Sequence, residues 1–96
     1  EEGEWQERAR LLGEHLGERL EPLRGRGVTG VRRAGLWAGI DIDPSVGSGR
    51  RVCERLLERG VLAKDTHGQT IRFAPPLTIR ATEIDWAVEQ LSVVLG

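Results

Sequence analysis

The chain has 96 residues, 39% of them hydrophobic, so it is long enough for one packed core and too short for a two-domain enzyme. Fourteen basic and 15 acidic side chains give a formal net charge of -1, which disfavours roles in binding nucleic acid or an anionic membrane surface. No apolar run approaches the roughly 20 residues that cross a bilayer. The single cysteine, Cys53, cannot form an internal disulfide. These features predict a cytoplasmic protein.

The first predicted element is an amphipathic helix. Its apolar positions are spaced three or four residues apart and are Trp5, Ala9, Leu12, Leu16 and Leu20. Pro22 and the glycines after it predict that this helix ends within residues 22–25. Gly25, Gly27 and Gly30 have the GxGxxG spacing of a phosphate-binding loop, but that motif needs a strand before it and a helix after it. Here the order is reversed, so the glycines predict a turn.

From Val31 the apolar period changes to two, which is typical of a strand. The residues of one face are Leu36, Ala38, Ile40 and Ile42, and they alternate with Trp37, Gly39, Asp41 and Asp43. The following VGSG segment at 46–49 precedes a helix but lacks the Gly-Lys-Ser/Thr of a nucleotide site, so a plain loop is favoured. The apolar face of this second helix is Val52, Cys53, Leu56 and Leu57. Gly60 is expected to be its C-cap.

Two short strands and a final helix complete the predicted elements. Residues 61–64 are expected to form one strand, and 65–68 (DTHG) a turn. Residues 70–74 alternate again, and the two prolines after them end the strand. The apolar positions of the final helix, which begins at about Thr82, are Ile84, Ala87, Val88, Leu91, Val94 and Leu95. Trp86 lies on the other side of this helix, where a second packing contact is expected.

This order of elements predicts an α+β fold, a two-layer sandwich in which a small sheet of about three strands has helices on one face. The other face of the sheet then carries Trp37, Gly39 and Arg72. Since no helix is left to cover that face, it is expected to meet a ligand or another surface.

Most titratable side chains have an ordinary structural explanation. His67 lies in the DTHG turn, where a general base would need a nucleophile or a carboxylate held against it, so a structural role is favoured. His15 is expected to be a partly buried surface residue, and Cys53 a small hydrophobic side chain. Asp41 and Asp43 point the same way, but two carboxylates are too few for a calcium site. Solvated acids at the end of a strand are expected.

Arg72 is the one candidate for a binding residue. It lies between Ile71 and Phe73 in an apolar strand, and its planar guanidinium can bind a carboxylate through two hydrogen bonds. The alternative is a solvated arginine on the outer face of the strand.

Four segments have a more specific pattern: GLWAGIDI at 35–42, VCERLLERGVLAKDTHG at 52–68, TIRFAPPL at 70–77 and EIDWAVEQL at 83–91. Together they resemble the C-terminal small domain of ornithine aminotransferases, which are class-III, fold-type I enzymes that depend on pyridoxal phosphate. The resemblance covers essentially the whole chain. The run LAKxTHGxxIRFAPPL is typical of the ornithine branch.

The resemblance implies that residues 1–96 are one C-terminal small domain, and that the large domain with the cofactor lysine is absent from this sequence. It also implies that the uncovered sheet face turns toward that large domain. Arg72 matches the arginine of the family that binds the α-carboxylate of the substrate and pairs with a glutamate of the large domain when ornithine binds. The reaction so implied moves the δ-amino group of ornithine to 2-oxoglutarate, giving glutamate semialdehyde and glutamate.

The full-length enzyme is then expected to be a homodimer with bound pyridoxal phosphate. The 96 residues alone are expected to bind no cofactor and to be inactive, because Lys64, the one lysine, does not match the cofactor lysine. Lys64 is expected to be a solvated cation at a strand end. The alternative function is a free-standing, non-catalytic module that binds an amino acid or a partner.

Overall fold

Three α-helices and four strands make up the computed structural model, which describes residues 2–96 apart from the side chains of Glu2 and His67. The helices are α1 (Glu2–Leu20), α2 (Gly49–Glu58) and α3 (Ala81–Leu95), with a short 3₁₀ helix at Glu21–Leu23. The strands are β1 (Val28–Ala34), β2 (Trp37–Ile42), β3 (Lys64–His67) and β4 (Thr70–Phe73). The predicted α+β class is confirmed. No helix among the described residues is both long and apolar enough to cross a bilayer.

The strands form one antiparallel sheet in the order β1-β2-β4-β3. The sequence predicted about three strands because it read the segment from Val31 to Ile42 as one strand, and placed residues 28–30 in a glycine-rich turn. β1 and β2 instead form a hairpin that turns at Gly35, whose φ of 56° is readily adopted by glycine. Alternation is weak in β1, where three consecutive residues, Arg32, Arg33 and Ala34, are all exposed.

The prediction was also wrong between residues 61 and 68. The third strand begins at Lys64, and the turn is confined to Gly68 and Gln69. All four residues of β3 are polar, and a bulge between Asp65 and His67 shifts the register. An alternating apolar pattern therefore could not reveal this strand.

All three helices pack on one face of the sheet, as predicted. The largest fully buried side chains come from all three helices and from three of the strands, and are Leu16, Leu20, Val28, Ile40, Ile42, Val52, Leu56, Ile71 and Ile84. Two side chains that were predicted to face the core do not. Trp5 is 48% exposed because the first two turns of α1 extend beyond the core, and Leu57 is 61% exposed because it points away from its buried neighbour Leu56.

Polar contacts join α1 to the C-terminal part of the chain. His15 Nε2 lies 2.6 Å from Asp85 Oδ1 on α3, and Arg19 Nε lies 3.2 Å from the same oxygen. Arg8 donates hydrogen bonds to the backbone carbonyls of Leu77 and Ile79, in the segment between β4 and α3. His15 is half-buried, which confirms its predicted position, but its carboxylate partner is 70 residues away in sequence and was not predicted.

Two glycines of α1 provide a matched test of this packing. A Cβ on Gly13 would collide with the carbonyl oxygen of Gly35, so Gly13→Ala must push α1 away from the hairpin. A Cβ on Gly17 would meet only the flexible side chain of Arg33, at 3.1 Å. We expect Gly13→Ala to lower the free energy of unfolding by about 1 to 3 kcal/mol. Gly17→Ala should change it little, because its gain in helix propensity offsets the tighter contact.

Urea unfolding of the two variants and the wild type measures both effects. Equal stabilities of Gly13→Ala and Gly17→Ala would contradict the close approach of α1 to the hairpin.

Candidate functional site

A row of cationic side chains crosses the sheet face opposite the helices. The cross-strand register pairs Arg32 with Gly39, Gly39 with Arg72, and Arg72 with Lys64. Directly paired residues project from the same face of a sheet, so these three cations share the uncovered face. The prediction that Trp37, Gly39 and Arg72 lie on this face is confirmed, because their neighbours in sequence belong to the core.

Gly39 makes room for the side chains on either side of it. A Cβ at this position would lie 3.2 Å from Cη2 of Trp37 and 3.5 Å from Nη2 of Arg32. The indole therefore folds over the glycine instead of extending away from the sheet, and Trp37 is half-buried. The centre of this face is consequently apolar, with Arg72 beside it.

Arg32 is held by the carboxylate of Asp41. Its Nη1 lies 2.7 Å from Asp41 Oδ2, and its Nη2 lies 3.0 Å from Oδ1. The hydroxyl of Thr70 also donates to Oδ1, at 2.7 Å. These hydrogen bonds, from Arg32 first and Thr70 second, lower the pKa of Asp41 below its ordinary value. Asp41 is therefore not the solvated acid that the sequence predicted, because its partner lies across a hairpin that the sequence did not reveal.

Asp43 does not join Asp41 in a cation site. Its Oδ1 accepts a hydrogen bond of 2.9 Å from the backbone N–H of Ser45, which lowers the pKa of this carboxyl. Within the described residues there is no group of three or more His, Cys, Asp or Glu that could hold a metal ion. The two acids therefore have separate structural roles in the strand and in the turn after it.

Arg72 is exposed on β4, an inner strand that is paired with both β2 and β3. Among the side chains that the structure describes, none forms a hydrogen bond or an ion pair with its guanidinium. Asp41 lies on the same face, but Arg32 and Thr70 occupy both of its oxygens. The donors of Arg72 are thus available to an anion from outside the described chain.

Two other candidate positions, Cys53 and the VGSG segment, have structural roles. Burial raises the pKa of the Cys53 thiol to about 11, and the negative charge of Asp65 adds to the effect, so Cys53 is the buried small side chain that was predicted. The VGSG segment is a loop whose Ser48 caps α2 by accepting a hydrogen bond from the backbone of Arg51. The predicted structural role of His67 concerns a side chain outside the described residues.

Trp86 also makes the second contact that its position predicted. A Cβ on Gly60 would lie 3.2 Å from its Cη2, so the indole packs over the C-terminal end of α2. Trp86 nevertheless remains 47% exposed, beside a groove that is also lined by Phe73, Pro75 and Ile79. This groove lies on the helical side of the molecule, because Phe73 packs against the core and not with Arg72.

The sequence and the fold match one known family. The family model "Aminotransferase class-III" matches residues 1–95. The chain belongs to the class-III aminotransferases. This result agrees with the resemblance of the four sequence segments to class-III aminotransferases.

Curated relatives of this chain are named ornithine aminotransferases. The protein from Bordetella pertussis is 47% identical over 88 residues, which are 92% of this chain and 21% of that protein. The protein from Bacillus subtilis is 40% identical over 89 residues, which are 93% of this chain and 21% of that protein. The chain therefore spans about a fifth of the length of these relatives.

Solved transaminase structures share the fold. Acetylornithine aminotransferase from Elizabethkingia anophelis superposes with a TM-score of 0.86 at 34% identity, over 98% of this chain and 24% of that one. Ornithine delta-aminotransferase from Plasmodium falciparum gives a TM-score of 0.81 at 27% identity, over 93% of this chain and 24% of that one. The small sheet with helices on one face is thus a recurring part of larger transaminase chains.

Class-III aminotransferases depend on pyridoxal phosphate, but the residues around Lys64 do not fit this cofactor. The cofactor needs a lysine for its aldehyde, an acid for its pyridine nitrogen and donors for its phosphate. Lys64 is exposed on an edge strand, and its cross-strand partner is the cation Arg72. The described residues thus leave the guanidinium of Arg72 exposed and unpaired, and offer no built site for the cofactor.

The Arg32–Asp41 ion pair predicts a pH-dependent stability. The pKa of Asp41 is lower in the folded chain than its ordinary value of 3.8, so the ionised carboxylate favours the folded state above that pH. This contribution is lost as the pH falls through the lowered, folded-state pKa. We expect Asp41→Asn to reduce the free energy of unfolding at about pH 7, and the difference from wild type to shrink below about pH 3.

Urea unfolding across this pH range provides the measurement. Glu58→Gln, which removes an exposed carboxylate from α2, is the matched control. The same pH profile for both variants would show that the Arg32–Asp41 pair adds no specific stability.

Proposed function

We propose that this chain is the C-terminal small domain of an ornithine aminotransferase, and that Arg72 binds the α-carboxylate of its substrate. The observation that carries the proposal is the position of Arg72. Its guanidinium is exposed on a rigid inner strand, on a sheet face that no helix of the described chain covers. No described side chain neutralises it. Such an arginine is suited to a bidentate pair with a carboxylate.

The choice of ornithine as substrate is supported by the relatives. Curated proteins that are 38% to 47% identical to this chain bear the name ornithine aminotransferase. The segment at 62–77 also has the LAKxTHGxxIRFAPPL pattern of that branch. The proposed reaction transfers the δ-amino group of ornithine to 2-oxoglutarate, and gives glutamate semialdehyde and glutamate.

The two halves of this exchange use Arg72 differently. When 2-oxoglutarate binds, the guanidinium holds its α-carboxylate by charge and two hydrogen bonds. When ornithine binds, Arg72 pairs instead with a carboxylate of the large domain, so the δ-amino group is the one presented for reaction. Pyridoxal phosphate, bound elsewhere in the complete enzyme, supplies the chemistry that carries the amino group. The complete enzyme is proposed to be a cytoplasmic homodimer.

Substitution of Arg72 in the complete enzyme tests the proposal. We expect Arg72→Ala to lower kcat/KM for 2-oxoglutarate by about 30- to 900-fold, or about 2 to 4 kcal/mol, because a charge-assisted bidentate pair is lost. Arg72→Lys keeps the charge but not the two parallel hydrogen bonds, and should lie between Arg72→Ala and wild type. Arg50→Ala, which removes an exposed arginine from α2, is the control. A near-normal kcat/KM in Arg72→Ala would refute the assignment.

The 96-residue chain by itself is expected to catalyse no transamination and to form no specific adduct with pyridoxal phosphate at Lys64. Mixing the two, reducing with borohydride and mapping the labelled peptide by mass spectrometry measures the adduct, with the complete enzyme as the positive control. Stoichiometric labelling of Lys64 would be incompatible with its proposed place outside the cofactor site. Binding of an amino acid by the isolated chain through Arg72 would instead favour a free-standing module.

A further inference from the structure

Lys64 and Arg72 form a like-charged pair on the uncovered sheet face. The register of β3 and β4 places them directly opposite each other. Directly opposed residues in an antiparallel pair have Cβ atoms about 4.5 to 5.5 Å apart, and like charges in such positions repel. Both side chains are exposed. The fold thus places an unfavourable pair next to the carboxylate site.

The acids near this pair do not neutralise it. Asp41 shares the face with Arg72, but its two oxygens accept hydrogen bonds from Arg32 and Thr70. Asp65 follows Lys64 in the chain and pairs with Ile71, whose side chain belongs to the core on the opposite face. Consistent with this, the charge of Asp65 raises the pKa of Cys53 on α2. Its carboxylate therefore acts toward the helices and away from Arg72.

The neighbours of Arg72 on its other side offer no second cation that is free of a carboxylate partner. Gly39 on β2 is covered by the indole of Trp37. Beyond it, the guanidinium of Arg32 is already occupied by Asp41. Among the described residues, Lys64 is therefore the cation next to Arg72 that is available to a bound anion.

We propose that Lys64 is the second cation of the Arg72 carboxylate site. Its ammonium group attracts the carboxylate of the oxo-acid substrate, and together with Arg72 it neutralises the carboxylate once the substrate is bound. This inference rests on the proposed function, and adds to it a second residue that determines affinity. A lysine suits this part, because its flexible stem and single charged group tolerate a range of anion positions beside the fixed guanidinium. Two adjacent cations also raise the local positive potential and with it the association rate of anions.

The test compares four variants of the complete enzyme with the wild type. Lys64→Gln should raise KM for 2-oxoglutarate by about 2- to 5-fold and leave kcat within about 2-fold, since an exposed charge adds a modest attraction. It should also weaken the dependence of kcat/KM on ionic strength. Lys64→Arg should behave like the wild type. Arg50→Gln removes the same charge from α2, on the opposite side of the sheet, and should change neither quantity.

Two results would overturn the inference. One is a KM and a salt dependence in Lys64→Gln that match those of Arg50→Gln. The other is a Lys64→Arg variant that is as impaired as Lys64→Gln, since that would exclude charge as the cause. Thermal melting of Lys64→Gln should give a Tm equal to or above that of the wild type, because the substitution relieves repulsion with Arg72.

Arg72→Ala, the fourth variant, separates this inference from the proposed function. If Arg72→Ala loses kcat/KM and Lys64→Gln is indistinguishable from Arg50→Gln, only the role of Lys64 is refuted. If Arg72→Ala retains a normal kcat/KM, the proposed function itself is refuted, and so is the proposed role of Lys64 as a second cation.

Discussion

The contact between Ile40 and Ile71 decides how the whole sheet is oriented. These residues are directly paired across β2 and β4, and they are 2% and 1% exposed. Because side chains alternate along a strand, burying this pair under the helices sends Gly39 and Arg72 to the opposite face. A slip of one residue would bury Arg72 in the core without a partner, at a large cost in stability. The position of the candidate site is therefore a consequence of core packing.

Two glycines allow close contacts on the two faces of the sheet. Gly13 allows α1 to lie against the turn of the hairpin, where any Cβ would collide with a backbone carbonyl. Gly39 has a comparable role on the uncovered face, where it accommodates an indole and a guanidinium. The same residue type thus allows close helix packing on one side of the sheet and shapes the surface beside Arg72, the proposed carboxylate site, on the other.

The helices, the inner strands and the face that carries Arg72 could be predicted from the sequence, because each depends on a periodic pattern of apolar residues. β3 could not, since its four residues are polar and a bulge interrupts it. The Arg32–Asp41 and His15–Asp85 contacts could not be predicted from the sequence either. They join residues that only the folded chain brings together, 9 and 70 positions apart. The cofactor lysine is a different case, because the resemblance already implied that it lies outside this sequence.

The place of β4 inside the sheet has a mechanical consequence. β4 is hydrogen-bonded to a neighbour on each side, and the segment after it is tied to α1 by Arg8. Fraying at a sheet edge therefore does not reach the backbone of Arg72, and its guanidinium can be re-aimed only by side-chain rotation or by displacing the entire layer. If these 96 residues rotate as a unit relative to another domain, the guanidinium of Arg72 moves by the same rotation, because its strand does not move separately from the sheet.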